Sequence, residues 1–290
     1  MKNTLDPQLT KIIQQALDED IGPGDMTSNS IIPSDARMTG QIVAKQSGVI
    51  AGLDIAAAVY QLFDTQVRFQ ALVEEGEHVD HTTTPDKRLP VALVTGSARS
   101  LLTVERTALN FMGRISGIAT LTHQFVEAVA GTTATILDTR KTAPGLRMLD
   151  KLAVARGGGA NHRIGLYDMI LIKDNHIDFA GGIRKAVERA RTYLDRKTLD
   201  LKIEIESRNC SEIEEICAVG GIDRIMLDNF SLDETRSAVK MINGRFETES
   251  SGGITLKNIR AYAECGVDYI SVGDLTHHIN SLDLSLKAAK

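Results

Sequence analysis

ILDTRKTAPGLRMLDKLAVARGGGANHR, Ile136 to Arg163, is the stretch on which the reading of the fold turns. A short apolar strand, Thr135 to Leu137, gives way at once to Asp138, Thr139, Arg140, Lys141 and Thr142, as a strand does when its end opens on a polar cleft. Pro144-Gly145 turns the chain into a helix, after which come Arg156, the glycines Gly157 to Gly159, and Asn161-His162-Arg163. Arg140, Lys141, His162 and Arg163 beside a glycine run suggest an anion site. A solvated loop and a flexible turn explain any one pair equally well, so the surrounding chain decides.

Downstream, short apolar runs alternate with helical periodicity. Strands are expected at Thr135 to Leu137, Met169 to Ile172, Leu199 to Ile205, Arg224 to Leu227, weakly at Glu247 to Glu249, and at Tyr269 to Val272. Helices are expected at Arg147 to Ala155, Gly182 to Leu194, Glu212 to Val219, Leu232 to Ile242 and Leu256 to Cys265. This alternation predicts a mostly parallel sheet, closed or open. Polar clusters at the strand ends favour closure: Asp138 to Lys141, Lys173 to His176, Glu204 to Glu206, Asp228-Asn229, Ser250 to Gly253 and Gly273-Asp274. A β/α barrel brings all such ends to one mouth, whereas an open sheet spreads them apart.

In Leu199 to Glu206, LDLKIEIE, period two sets Leu201, Ile203 and Ile205 on one face and Lys202, Glu204 and Glu206 on the other. With the apolar face against helices, the glutamates point into the lumen, where they need cations or a metal. Glu204 and Asp228, on adjacent strands, are then expected to share Mg²⁺, its water shell or sugar hydroxyls. Ser251-Gly252-Gly253 and Gly273-Asp274 place small residues before helix starts, the second before a helical tail at 276–290, and both suit a phosphate.

The first third reads as a small mixed α/β domain. Asp6 caps a helix that Pro7 opens and that ends near Gly22, strands follow, and His81 to Arg88 reads as a surface loop. A helix from Ala98 to Met112 carries Glu105, Arg106 and Asn110, which as exposed charges and amide need no function. Ser116-Gly117 is expected to break it before a second helix from Ile118 to Val129, and the domain boundary is placed at Arg114. The 290 residues, 42% of them hydrophobic, suffice for one large domain or two ordinary ones. A net charge of −5 argues against binding nucleic acid or acidic membrane through bulk charge. Cys210, Cys217 and Cys265 lack disulfide or zinc spacing, no stretch reads as a signal peptide or membrane span, and a cytoplasmic protein is expected.

Taken together, LDEDIGPGDMTS near the amino terminus, ERTALNFMGRISGIAT (Glu105 to Thr120), DTRKTAPGLR (Asp138 to Arg147), RGGGANHRIGLYD (Arg156 to Asp168), LIKDNH (Leu171 to His176), MLDN (Met226 to Asn229), SSGGIT (Ser250 to Thr255) and SVGDLTH (Ser271 to His277) resemble the quinolinate phosphoribosyltransferase family, the carboxylating nicotinate-nucleotide pyrophosphorylases. The resemblance covers nearly the whole chain. It implies an α/β sandwich-like domain over 1–114, an irregular α/β barrel over 115–275, and a homodimer or higher oligomer in which one chain's first domain faces its partner's barrel. The implied reaction makes nicotinate mononucleotide, pyrophosphate and CO₂ from quinolinate and phosphoribosyl pyrophosphate with Mg²⁺, in NAD biosynthesis. By the same resemblance, Arg106, Thr139, Arg140, Lys141, His162, Arg163 and Lys173 form the quinolinate pocket and part of the pyrophosphate cradle. Glu204 and Asp228 hold ribose hydroxyls and Mg²⁺, directly or through water, and Ser251, Gly252, Gly253 and Gly273 hold the 5′-phosphate. Lys141, Lys173, Glu204 and Asp228 are the residues expected to carry catalysis. Two rival readings are a phosphoribosyltransferase for another heteroaromatic acid and a non-catalytic barrel that senses a nucleotide.

Overall fold

The computed structural model describes residues 5–289. In chain order the first elements are α1 (Pro7–Ile21), α2 (Met26–Ile31), β1 (Arg37–Ala44), β2 (Gly48–Ile50), α3 (Leu53–Phe63), β3 (Arg68–Ala71), β4 (Glu77–Val79), β5 (Leu89–Ser97) and α4 (Ala98–Ala128). There follow β6 (Thr135–Leu137), α5 (Arg147–Arg156), β7 (Ile170–Ile172), α6 (Asp174–Ala180), α7 (Ile183–Lys197), β8 (Ile203–Ser207), α8 (Cys210–Val219) and β9 (Arg224–Asp228). The last are α9 (Leu232–Ile242), β10 (Glu247–Ser251), α10 (Ile259–Ala263), β11 (Tyr269–Ser271), α11 (Asp274–His277) and β12 (Leu284–Ala288). The chain divides into two compact units. One takes the chain up to His123, with 142–158 and the segment from Thr276 on; the other takes 124–141 and 159–275.

The first unit is built on an antiparallel sheet of order β12-β1-β5-β3 with a separate β2-β4 pair. α1 starts as its sequence dictates: Asp6 Oδ1 accepts the Gln8 amide at 2.7 Å, Pro7 opens the helix, and Leu9, Ile13 and Leu17 form its buried stripe. Two expectations fail in this unit. α4 runs unbroken for 31 residues through Ser116-Gly117. Gly117 is a glycine there because a Cβ would lie 2.2 Å from the Asn280 carbonyl oxygen, so it admits a neighbouring backbone and does not end the helix. The tail expected to be helical over 276–290 is, in its described part up to Ala289, not helical beyond α11. Leu284 and Leu286 are buried with Ser285 between them, and this period of two makes a strand, β12, which pairs with β1 from Gly40↔Ala288 to Ala44↔Leu284.

The second unit is a six-stranded parallel sheet, β6-β11-β10-β9-β8-β7, with helices in the crossovers. β8 is buried at every residue. Its apolar Ile203 and Ile205 alternate with Glu204 and Glu206, as expected, though the strand begins only at Ile203. α7 turns Ile183, Ala186, Val187 and Leu194 inward at helical spacing, and α7 and α8 pack on β7 and β8. The outermost strands β6 and β7 do not pair with each other; Ala160 supplies a single parallel bridge to Leu137. Their ends nevertheless line one cavity with those of the four strands between them. A flat sheet of six strands would hold its edges about 24 Å apart, so the sheet curls into an irregular barrel. No helix among the described residues is long and apolar enough to cross a membrane.

Candidate active site

Every strand of the barrel contributes to a cavity of about 790 Å³ at the carboxyl ends of the strands. β6 leads into Asp138, which is wholly buried and accepts the His162 amide at 2.8 Å. Asp138 thereby holds the 160–163 segment against β6 and is a structural acid. Beyond it Thr139, Arg140 and Lys141 line the cavity, and Thr139 Oγ1 accepts the Lys141 amide at 3.0 Å. Arg140 Nε is buried without a hydrogen-bond partner. Burial and then the positive charge of Arg140 lower the pKa of the Arg163 guanidinium. Glu204, Asp168 and Glu206 offset part of this, and an anion in the cavity would offset more.

The opposite wall carries carboxylates. Lys173, at the amino end of α6, pairs with Glu206 on β8, and both face the cavity with Asp228 and Asn229 at the end of β9. Asn229 Nδ2 donates to Asp228 Oδ2 at 2.9 Å. Ser251, Gly252 and Gly253 follow β10 with both glycines at positive φ (+91° and +63°), and Gly273 follows β11. The phosphate reading expected a helix start after each glycine segment, and α11 does begin at Asp274, directly after Gly273. α10, however, starts only at Ile259 and has five residues, so the Ser251–Gly253 loop offers backbone amides without a helix dipole behind them.

Below the mouth lies an ionic cluster, of which His162 and Glu249 line the floor of the cavity. His162 Nε2 sits 2.9 Å from Glu204 and 3.5 Å from Glu249, and Arg224 Nη1 is 2.9 Å from Glu249. The Arg224 guanidinium also stacks 3.8 Å over the Tyr269 ring. Burial alone would lower the imidazole pKa, but hydrogen bonds to Glu204 and Glu249 outweigh it and raise it to about 9. The Arg163 amide pulls the other way: it donates to Nδ1 at 2.8 Å, and Nδ1 accepts only when it carries no proton. The ring therefore keeps its Nε2–H towards the carboxylates. Burial and the Glu249 charge push Glu204 up, to about 7, whereas Glu249, despite its burial, is held below the ordinary range by His162 and Arg224. His162, Glu204 and Glu249 stand close enough to coordinate a divalent cation.

Of the residues singled out in the sequence, Thr139, Arg140, Lys141, His162, Arg163, Lys173, Asp228, Ser251, Gly252, Gly253 and Gly273 line the cavity together. Glu204 is fully buried and does not line it. The strand register opposes Glu204 to Arg224 and ends with Ser207 opposite Leu227, leaving Asp228 four residues further along. That is about 13 Å along the strand, so Glu204 and Asp228 do not ligate one ion directly. Glu206, two residues on, is the acid of β8 that reaches the mouth. Arg106 lies in the other unit, where it lines a depression of about 460 Å³ with Asn110, Arg114 and 281–284. Sequence reasoning missed Glu249, Arg224 and Asn229. A glutamate and an arginine within buried strands were the available signal for the first two. The third stood in the strand-end pair Asp228-Asn229, but was given no role of its own.

The likeness to known proteins matches this architecture. The model of the C-terminal domain of quinolinate phosphoribosyl transferase matches residues 118–287, and that of the N-terminal domain matches 25–116. A tobacco (Nicotiana tabacum) quinolinate phosphoribosyltransferase [decarboxylating] 1b is 42% identical over 96% of this chain and 82% of its own. A probable nicotinate-nucleotide pyrophosphorylase [carboxylating] of Synechocystis is 43% identical over 96% of this chain and 92% of its own. The crystal structure of NadC from Streptococcus pyogenes superposes with a TM-score of 0.91 at 39% identity, covering all of both chains. With both domain models matched in order and relatives aligned almost end to end, the chain belongs to the quinolinate phosphoribosyltransferase family.

Proposed function

We propose that the barrel-mouth cavity is where this quinolinate phosphoribosyltransferase joins quinolinate to phosphoribosyl pyrophosphate, releasing pyrophosphate and CO₂ and leaving nicotinate mononucleotide. The observation that carries the assignment is one cavity with a cationic wall, Arg140, Lys141 and Arg163, facing an acidic one, Glu206 and Asp228. Quinolinate bears two adjacent carboxylates, and guanidinium groups grip carboxylates bidentately. Thr139 and His162 complete that wall. Lys173 and Lys141 meet the pyrophosphate, Asp228 and Glu206 the ribose hydroxyls, and Ser251 to Gly253 with Gly273 the 5′-phosphate. Glu204 acts from behind His162.

In the reaction the pyridine nitrogen bonds to C1 of the ribose as the C1–O bond to pyrophosphate breaks, and the lysines balance the charge on the departing oxygens. The acids of the opposite wall stabilise the oxocarbenium-like sugar. When the 2-carboxylate then leaves as CO₂, its bonding pair passes to the ring, made electron-poor by its new substituent, and a proton takes its place. Magnesium ion suits the oxygen donors Asp228 and Glu206, since it keeps most of its waters and takes one or two carboxylates beside substrate phosphates. The buried His162, Glu204 and Glu249 set, with its imidazole donor, suits it less. When bound, Mg²⁺ would neutralise the pyrophosphate and make it a better leaving group. The free thiols support a cytoplasmic setting.

Arg106 is assigned to the partner's cavity in a two-fold dimer. Turnover of quinolinate, phosphoribosyl pyrophosphate and Mg²⁺, followed as CO₂ and mononucleotide, tests the reaction; binding of nicotinate mononucleotide with no turnover would overturn it. Refolding Arg106→Ala chains with Lys141→Ala chains tests the shared site. Mixed dimers then carry one doubly damaged and one intact site and recover activity. No recovery, with mixed dimers confirmed by mass, refutes it.

A further inference from the structure

We propose that Asn229 is a positioning residue that locks the Asp228 carboxylate to the Ser251–Gly253 loop, so that the sugar and phosphate ends of phosphoribosyl pyrophosphate are held in one register. The proposal rests on the reading of the mouth given above. Among the described residues, four other than glycine have positive φ: Lys87, Thr198, Asn229 and Asn243. Thr198 and Asn243 cap helices, and Lys87 lies in a surface loop, but Asn229, at φ +57°, follows a strand and lines the cavity. Left-handed backbone is unfavourable for L-residues, least so for asparagine, and such strain gathers where the surroundings enforce it.

Three ties enforce it. The Asn229 amide N–H donates to the Ser251 carbonyl at 2.8 Å, joining the end of β9 to the end of β10. Its side-chain Nδ2 donates to Asp228 Oδ2 at 2.9 Å, and since an ionised carboxylate only accepts, the NH₂ must be the group on that side. Oδ1 therefore faces Gly252, where a Cβ would stand 2.2 Å from Oδ1 and 2.6 Å from Cγ. Gly252 is thus excluded from bearing a side chain both by its φ of +91° and by Asn229. One residue thereby sets the rotamer of Asp228 and the place of the glycine loop. A carboxylate left to rotate, or a loop left to drift, would have to be ordered by the substrate at a cost to its affinity.

Asn229→Gly keeps the left-handed backbone and the amide N–H and removes only the side chain. Calorimetric Kd and steady-state KM for phosphoribosyl pyrophosphate should each rise roughly tenfold, the size of a lost hydrogen bond to a charged group. Quinolinate affinity should stay within about twofold and the thermal midpoint should hold, because no buried contact is removed. In an Asp228→Ala background the same substitution should do much less, since its effect passes through the missing carboxylate. Unchanged phosphoribosyl pyrophosphate binding in Asn229→Gly, with binding weakened in Asp228→Ala, would overturn this role for Asn229 alone. If Asp228→Ala also bound it normally, the reading of the mouth would fall and the proposal with it. Equal loss of both substrates with a lowered midpoint would reduce Asn229 to a structural residue and likewise overturn it.

Discussion

In the lower half of the barrel the charged side chains close on one another, with His162 and Glu249 reaching the floor of the cavity; at the carboxyl ends of the strands they line its walls. Below, the signs alternate from solvent inward as far as Glu249, beyond which the His162 imidazole stands between two acids. Lys202 meets Glu247, Glu247 meets Arg224, Arg224 meets Glu249, and Glu249 meets His162, which also meets Glu204. Above, the cationic wall and the acidic wall face each other across the cavity, and Arg140 keeps a buried Nε with no hydrogen-bond partner. Buried charge is tolerated only when it is paired and hydrogen-bonded. The lower charges pair with the protein's own groups and so belong to the fold, although both Glu204 oxygens and Glu249 Oε1 are buried without a well-aligned hydrogen-bond partner. In the upper set Lys173 pairs with Glu206, while the Arg140 Nε would find its partner in an anion, as the proposed substrate site requires.

The largest effect should come from breaking the lower network at its centre. Glu249→Ala leaves Arg224 and His162 buried beside a missing carboxylate, a loss of about 3–5 kcal/mol for a buried pair cut on one side. Urea unfolding would measure it, and a loss below about 1 kcal/mol would mean that the network does not depend on its own acid. Arg140→Ala should do the reverse. Unfolding stability should stay within about 0.5 kcal/mol, as at positions outside the core, while kcat/KM with quinolinate falls about 100-fold. Normal turnover by a destabilised Arg140→Ala protein would make Arg140 part of the fold and erase the distinction between floor and mouth.

The sequence marked the mouth better than the floor, for a physical reason. Residues following strands, such as Arg140, Lys173 and Ser251, stand out because polarity interrupts an apolar run. Glu204 and Glu206 differ by one pleat and face the same way, so only the register, with Glu204 opposite Arg224, tells the buried acid from the one at the mouth. Gly117 read as a helix breaker because the backbone of Asn280, distant in sequence, is what requires it. The last strand was hidden because a short alternating run of leucine pairs with β1, more than 200 residues away in the chain. Asn229 was visible only as part of a polar strand end, since its role lies in a dihedral angle and in a contact with the next strand.

The smallest effect should lie at the outer end of the ion chain, and it sharpens the comparison by showing where self-pairing stops mattering. Lys202 Nζ is 3.2 Å from Glu247, but its side chain is 57% exposed and that of Glu247 33%, so water and salt screen the pair. Burial alone would raise the Glu247 pKa; Lys202 and Arg224 hold it below the ordinary range. Removing Lys202 leaves Arg224 in place, 3.2 Å away, and the acid keeps a cation. Lys202→Ala should therefore cost no more than about 1 kcal/mol, the upper range for exposed pairs, and less in high salt. Urea midpoints at two ionic strengths would check it. If Lys202→Ala cost as much as Glu249→Ala, the chain of charges would act as a single cooperative unit out to the surface, and burial would no longer explain why the floor is structural.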